Sequence, residues 1–308
     1  MRPYKPSGKA PITGLIRTGL TSTIGGVLMG GVFHLVGRLI YLILIFPVAM
    51  GLTAGGLTFA ANYAGKIRNT TVTLAFGLLS GLCLYGGMHG ADYLQFRGDV
   101  AASLSEELDL AEGADADTDA LIDLYLQDQV GESGFLGYLK YSAEQGVSIG
   151  RVGRGGVNLG ATGTWIYWLV ELLVIEIIAG GLAFGVADSS VFCEECDRWY
   201  DAKKPVGSVS PENADAFLEA LNHQNYNQAG TLIGPVLEKT ENSLKISQES
   251  CSPCDSEVDV LVTVERQAIN HRRDSSYFSR VQRGLLTARE YRQLQPSSPG
   301  QASAEGDA

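Results

Sequence analysis

One apolar run constrains this chain more than any other feature of its sequence. Residues 164–188 read TWIYWLVELLVIEIIAGGLAFGVAD, about the length of a helix that crosses a lipid bilayer. The run opens with Trp165, Tyr167 and Trp168, aromatic residues of the kind that settle at a membrane–water boundary. It predicts a transmembrane helix that carries two carboxylates, Glu171 and Glu176, in its interior.

Charge is distributed unevenly along the chain. The first acidic residue is Asp92, and every charged residue before it is basic. This acid-free stretch contains three further apolar segments, at about residues 18–39, 40–64 and 72–94, with a basic turn at residues 66–69. No A-x-A-like cleavage site follows the first apolar run, so we expect a retained membrane anchor and not a signal peptide.

Four crossings agree best with the position of the basic residues. They place the N-terminus, residues 66–69 and everything after Asp188 on the cytoplasmic side, where Lys and Arg concentrate. The acidic residues 95–163 then lie on the opposite side. The net charge is −11, and neither acidic region carries the basic stripe that nucleic-acid binding requires, so such binding is not expected.

The segment between the third and fourth apolar runs has its own pattern. Residues 104–119 are acidic and predict a loose surface stretch, whereas residues 120–129 and 134–145 have helical apolar spacing. Many glycines follow in residues 146–160. They predict a turn-rich connector; a ligand-binding loop is the alternative, although a P-loop motif is absent.

Two C-x-x-C pairs provide the strongest chemical signal. Cys193 and Cys196 form one pair, and Cys251 and Cys254 form the other. Each pair offers two thiolates from one tight turn, and zinc in structural sites takes four such ligands in a tetrahedron. The predicted strands at 243–246 and 258–264 flank the second pair, a context that resembles the zinc-ribbon class; the resemblance covers only these two turns. We predict one structural zinc ion on these four cysteines.

A dithiol redox pair is the main rival to zinc. Thiol exchange needs an exposed thiolate with a low pKa, and the acidic neighbours of these cysteines, such as Glu194 and Asp255, disfavour the thiolate. A catalytic zinc site keeps an open position, so an all-cysteine ligand set argues for a structural one.

The soluble region around the cysteines is predicted to be a small α+β domain. After a charged linker at residues 203–205, helices are expected from Ser210 and at residues 226–239. The last residues, 295–308, are rich in Ser, Pro, Gly and Ala, and disorder is expected there; the proline-rich residues 1–11 are read as a disordered tail as well.

Polar residues inside the apolar helices are the second chemical signal. His34 and Arg38 lie one turn apart, His89 and Asp92 belong to the third helix, and Glu171 and Glu176 to the fourth. Ionisable groups inside a bilayer are costly and pair with one another, although side chains near helix ends also reach interfacial water. We predict an Arg38–Glu171 ion pair, and a protonated Glu176 that bonds to a neighbouring helix.

The sequence therefore predicts an all-α membrane region of four transmembrane helices with a small, zinc-ribbon-like α+β cytosolic domain. The divisions are residues 1–94, with the tail and three helices; 95–163, extracytoplasmic; 164–188, the fourth helix; 189–294, the zinc domain; and 295–308, the tail. The expected location is the bacterial inner membrane.

For function, the sequence favours a non-enzymatic scaffold, assembly factor or adaptor that binds a cytosolic or membrane protein. A small transporter that uses Glu176 and a membrane-bound thiol oxidoreductase are the alternatives.

Overall fold

The computed structural model describes residues 1–39, 42–43, 45–107, 118–149, 156–236, 240–257, 259–270 and 275–296. The chain divides into two compact units. One is a helical unit, Gly8–Ser189, and the other combines Met1–Ser7 with the chain from Ser190 onward. Residues 108–117 of the predicted loose stretch 104–119 and residues 297–308 of the predicted disordered tail 295–308 lie outside the described residues.

Among the described residues, the helical unit contains four helices that are long and apolar enough to cross a membrane, as the sequence predicts. The first runs from Ile12 to Leu39 as α1 (Ile12–Leu20), a π-helical turn (Thr21–Gly25) and α2 (Gly26–Leu39). The others are α3 (Ile45–Ala64), α4 (Thr70–Glu107) and α7 (Gly160–Ser189). The π turn coincides with Thr23, whose hydroxyl donates to the Gly19 carbonyl (2.8 Å), a bond that competes with the helical ladder.

The segment between the third and fourth long helices is also helical. It contains α5 (Thr118–Val130) and α6 (Gly134–Gln145), which match the predicted helices, and a short hairpin of β1 (Ser148–Ile149) and β2 (Val157–Asn158). At 38 residues, α4 is about 57 Å long, longer than a bilayer core is thick. Its C-terminal half therefore extends toward α5 and α6.

Glycines allow the long helices to approach one another. A Cβ atom on Gly26 would lie 2.9 Å from the Cβ of Cys83, and one on Gly77 would lie 2.9 Å from that of Ala183. A Cβ atom on Gly51 would lie 2.8 Å from the Cβ of Ile178. Such contacts gain dispersion energy where the hydrophobic effect is absent. By contrast, Gly181 and Gly185 of α7 face open space.

The second unit is a four-stranded antiparallel sheet covered by helices. Its strands are β5 (Lys204–Val209), β6 (Leu244–Glu249), β7 (Val260–Asn270) and β8 (Ser275–Leu286), in that spatial order. A small hairpin of β3 (Phe192–Cys193) and β4 (Arg198–Trp199) precedes them. The helices are α8 (Ala214–Asn222), α9 (Tyr226–Thr231) and α10 (Ala288–Leu294).

This second unit has a hydrophobic core of its own. Phe217 and Leu221 of α8 pack against the sheet residues Leu244, Ile246 and Val262, and all five side chains are fully buried. Tyr291 and Leu294 of α10 complete the core. The cysteine turns thus belong to a domain that also contains this sheet-and-helix core, and the zinc ribbon itself stays a prediction.

Several predicted elements differ from the observed ones. The helix expected over residues 226–239 ends at Thr231, because Gly234 pairs with Ser208 at the edge of β5. The residues read as a charged linker form β5 itself, and β8 and α10 were not predicted.

The N-terminal segment also differs from its prediction. Arg2 pairs with Leu285 of β8 through two backbone hydrogen bonds and forms an ion pair with Asp259 (2.9 Å). The start of the chain is therefore part of the C-terminal domain and not a loose tail.

Candidate functional site

The four predicted cysteines meet at one place in the second unit. Cys193 and Cys196 lie in the β3–β4 turn, where Asp197 takes a left-handed φ of 48° that reverses the chain. Cys251 and Cys254 lie at a 3₁₀ turn, Ser252–Glu257, between β6 and β7. Residues from two turns far apart in sequence are thus brought together by the fold.

The sulfur atoms form a close cluster. All four Sγ atoms lie within 4.8 Å of one another, and those of Cys193 and Cys254 are 3.5 Å apart. Tetrahedral zinc with Zn–S bonds of about 2.3 Å places its sulfur ligands about 3.8 Å apart. The Cys196 and Cys254 sulfurs lie at disulfide distance. The cluster could therefore hold a metal ion, and it also contains a sulfur pair that can oxidise.

Asp201 fastens one cysteine turn to the other. Its carboxylate accepts hydrogen bonds from the backbone N–H of Ser252 (2.9 Å) and from the Ser252 hydroxyl. Its own N–H donates to the Ser250 carbonyl (2.9 Å). These bonds from Ser252 lower the pKa of Asp201. Asp201 holds the second turn in place, although nothing in its sequence spacing marks it as a site residue.

Aromatic packing supports the first turn. The rings of Phe192 and Trp199 meet edge to face at 5.0 Å, and the Tyr200 hydroxyl donates to the Asp259 carbonyl (2.8 Å). The Phe192 N–H donates to the hydroxyl of Tyr4 in the N-terminal segment (3.3 Å). The start of the chain thus contributes directly to the surroundings of the cysteines.

Burial differs among the four cysteines. Cys193 and Cys251 are buried, whereas Cys196 and Cys254 are half-buried. Burial and the neighbouring Cys193 raise the pKa of Cys251, so its thiol is protonated unless a cation stabilises the thiolate. A buried, protonated thiol suits a metal ligand that is deprotonated on binding better than a nucleophile in thiol exchange.

In the helical unit, two predicted histidines meet Asp92. The Nδ1 atom of His34 on α2 lies 2.5 Å from Asp92 Oδ1 on α4, and the Nδ1 atom of His89 lies 3.6 Å from Asp92 Oδ2. Both histidine side chains are mostly buried, so they do not simply reach outward to water. Sequence spacing shows only that His89 and Asp92 share a helix face; the contact with His34 depends on how the helices pack.

Glu171 has different partners from those predicted. Its carboxylate accepts hydrogen bonds from the hydroxyls of Tyr167 (2.6 Å) and Tyr85 (3.3 Å). Arg38 is exposed. The Glu171 carboxylate thus has two tyrosine partners, one on its own helix and one on α4, and the Arg38–Glu171 ion pair stays a prediction.

Glu176 packs against the backbone of a neighbouring helix. A Cβ atom on Gly81 would lie 2.8 Å from Glu176 Oε1. This oxygen is buried, and within the described part of the chain it has no hydrogen-bond partner. The predicted bond to a hydroxyl or carbonyl is thus absent at Oε1.

A cavity of about 350 Å³ joins most of the polar residues of the helical unit. His34, Arg38, His89, Asp92 and Glu171 line it, whereas Glu176 is not among its lining residues. Five aromatic side chains, Phe33, Phe46, Tyr138, Tyr167 and Trp168, contribute to its wall. The intramembrane residues predicted from sequence thus divide into a cavity group and the separate Glu176.

No protein-family model, curated protein or solved structure matches this chain.

Proposed function

We propose that this chain is a multi-pass membrane protein that acts as a non-enzymatic scaffold or regulatory adaptor through a zinc-stabilised C-terminal domain. The observation that carries this proposal is the convergence of four thiols from two separate turns within 4.8 Å. Four thiolates fill the tetrahedral shell of zinc and leave no open position for water or substrate. Such a site stabilises a binding surface without supplying a reaction.

The outer faces of the four long helices support membrane insertion. Leu28, Leu39 and Ile177 are more than 60% exposed, and most of the other exposed large apolar side chains also lie on the helical unit. Apolar surface of this extent is unfavourable in water and favourable in lipid. The proposed solvent of this unit is therefore the bilayer.

The N-terminal segment supports an even number of crossings. Met1–Ser7 precede the first long helix and yet belong to the same unit as the chain after Ser190. If both ends of the helical unit lead to one domain, they lie on one side of the membrane. Four crossings meet this requirement, and the reducing cytosol is the side where four free thiolates persist.

Topology can be tested with a membrane-impermeant maleimide on cells. A cysteine placed at Ser103 should react from outside, whereas one at Asn69 should react only after the cells are opened. Reaction of the Asn69 cysteine in intact cells would contradict the four-crossing arrangement.

Zinc can be tested on the full chain purified in detergent without added metal. Metal analysis should find one zinc ion per chain, and acidification should release it because the four thiolates take up protons. Absence of zinc, together with fewer reactive thiols before reduction than after it, would contradict the proposal.

The adaptor role predicts a partner surface on the C-terminal domain. In β8, Tyr277, Phe278 and Val281 are exposed on an edge of the sheet, which suits a protein contact. A photo-cross-linking amino acid at Tyr277 should give one defined protein adduct in cells, whereas the same residue at the exposed Glu212 should not. An absence of any protein adduct at Tyr277 would count against an adaptor that uses this edge.

A thiol oxidoreductase is the second candidate, favoured by one observation: the Cys196 and Cys254 sulfurs lie at disulfide distance. Exchange would need an accessible thiol next to that pair, and the neighbouring Cys193 is buried. A purified chain that reduces a disulfide substrate with turnover would establish this candidate in place of zinc.

A small transporter is the third candidate, favoured by the buried Glu176 oxygen that lacks a hydrogen-bond partner among the described residues. Glu176→Gln should abolish a pH-dependent flux in reconstituted vesicles if this carboxylate carries protons. If the adaptor proposal is correct, the substitution should leave every measured property nearly unchanged.

A further inference from the structure

The cavity of the helical unit lies where several elements of that unit meet. Side chains of α2, α3, α4, α6 and α7 line its wall, and Val147 closes part of it just after α6. Its volume of about 350 Å³ is within the range of pockets that hold small molecules. A pocket that combines apolar walls with a few convergent polar groups is a candidate ligand site.

The fixed acceptors in this cavity are carboxylates. Asp92 is held from two sides by His34 and His89, and Glu171 is held by two tyrosine hydroxyls. Glu171 is only 4% exposed. These neighbours fix both carboxylates in position, and carboxylates that are already in place attract a cation without a cost of reorganisation.

Aromatic rings form the rest of the wall. Trp168 packs edge to face against His89 with centroids 5.0 Å apart, and Phe33 packs in the same way against Phe46 at 5.3 Å. Tyr138 and Tyr167 add two more rings. Ring faces attract organic cations through the aromatic quadrupole, and aromatic cages are the usual sites for quaternary ammonium groups.

Among the lining residues, Arg38 carries a permanent positive charge that opposes a cation, and His34 and His89 oppose it only when they are protonated. Its side chain is exposed, whereas that of Glu171 is buried. While both histidines are neutral, two carboxylates against one guanidinium leave the cavity favourable to positive charge.

We propose that this cavity binds a small organic cation, a quaternary or tertiary ammonium compound, between the Asp92 and Glu171 carboxylates and the aromatic wall. This site is separate from the cysteine cluster, and it is independent of the proposed zinc and adaptor roles. It gives the helical unit a ligand of its own.

The test compares three molecules of the same shape and different charge. Choline carries a positive charge, dimethylbutanol is its neutral carbon isostere, and dimethylbutanoate is the corresponding anion. Isothermal titration of the full chain in detergent, at one fixed pH, should show binding of choline in preference to both isosteres. Equal binding of choline and dimethylbutanol would show a merely apolar cavity and would overturn the proposal, as would preference for the anion or no binding of choline.

Variants locate the site. Glu171→Gln and Asp92→Asn should each weaken choline binding by about tenfold. Arg38→Gln should strengthen it by about threefold, an effect that loss of folding cannot imitate. Glu176→Gln, a carboxamide on the same helix but outside the cavity, should leave affinity unchanged. If Arg38→Gln weakens choline binding, or if Glu176→Gln reduces it as much as Glu171→Gln, the ligand does not bind between these carboxylates.

Discussion

The two units of this chain place their apolar residues in opposite ways. The sheet domain buries Phe217, Leu244 and Leu261 in a closed core, as a protein surrounded by water does. The helical unit keeps Leu28 and Ile177 on its outside and uses glycines and polar side chains where its helices meet. The comparison teaches that apolar residues stabilise the sheet domain by burial, whereas many of those in the helical unit stay on its outside, an arrangement that suits helices packed within lipid.

The largest expected effect concerns the cysteine turns. A cross-link that closes the loop of 61 residues between Cys193 and Cys254 contributes about 4 kcal/mol by chain entropy alone. Cys193→Ser and Cys254→Ser should therefore each lower the melting temperature of the C-terminal domain strongly, as followed by circular dichroism. Cys83→Ser, in the helical unit, is the matched control and should have little effect.

The same series separates metal from disulfide. With zinc, all four cysteines are ligands, so the four single variants should be about equally damaging. If only Cys196→Ser and Cys254→Ser destabilise the domain, a disulfide and not a metal holds the turns.

The next effect compares the two kinds of core. Leu244→Ala in the sheet domain should lower the free energy of unfolding by about 3 kcal/mol, because the protein loses the transfer free energy of the removed atoms and also retains a cavity. Under the proposed membrane insertion, Leu84→Ala, equally buried on α4, should cost about half as much, because only packing is lost. Reversible unfolding of each variant in detergent measures both. Equal losses of unfolding free energy for the two variants would contradict the proposal that the sheet domain is surrounded by water and the helical unit by lipid.

A smaller effect concerns the helix contacts. Gly77→Ala should destabilise the helical unit by about 1–2 kcal/mol, because the new methyl group meets Ala183 and the helices must separate. Gly181→Ala on the partner helix α7 faces open space and should be neutral or slightly stabilising. Thermal unfolding in detergent tests the pair. If both substitutions behave alike, these helices do not pack as described.

The smallest effect is a pH dependence in α10. Glu290 accepts hydrogen bonds from the backbone N–H (2.7 Å) and the hydroxyl (2.8 Å) of Thr287, and these bonds lower its pKa. A lowered folded-state pKa gives stability that is present above the unfolded value of about 4.3 and is lost as the pH falls through the folded value. Thermal unfolding across acidic pH should show a smaller decline for Glu290→Gln than for the parent chain. Glu212→Gln, an exposed residue elsewhere, should retain the parent profile.

Sequence patterns predicted the elements that their own residues specify without contacts to distant segments. The four long apolar helices, α6 and the grouping of the cysteines into two turns all follow from spacing that a reader of the sequence can count. The structure confirms these elements, and the cysteines converge as a possible metal site.

Contacts between distant segments were beyond sequence reasoning. The pairing of Arg2 with Leu285, the hold of Asp201 on Ser252 and the His34–Asp92 contact each join residues more than 45 positions apart. Nothing local distinguishes such residues from ordinary surface charges. Strand β5 was missed because Lys204, Pro205 and Gly207 are poor strand formers, and it is the pairing with β6 that holds them extended.

Hydrogen–deuterium exchange on the full chain in detergent, with and without a strong zinc chelator, tests the central claim most directly. The claim is that a metal on the four cysteines stabilises the C-terminal domain and not the helices. The chelator should raise exchange in residues 190–201 and 250–259, where the two turns lie, and should leave α3, α4 and α7 unchanged. Unchanged exchange in both turns would contradict the claim, and so would an equal rise across the helices.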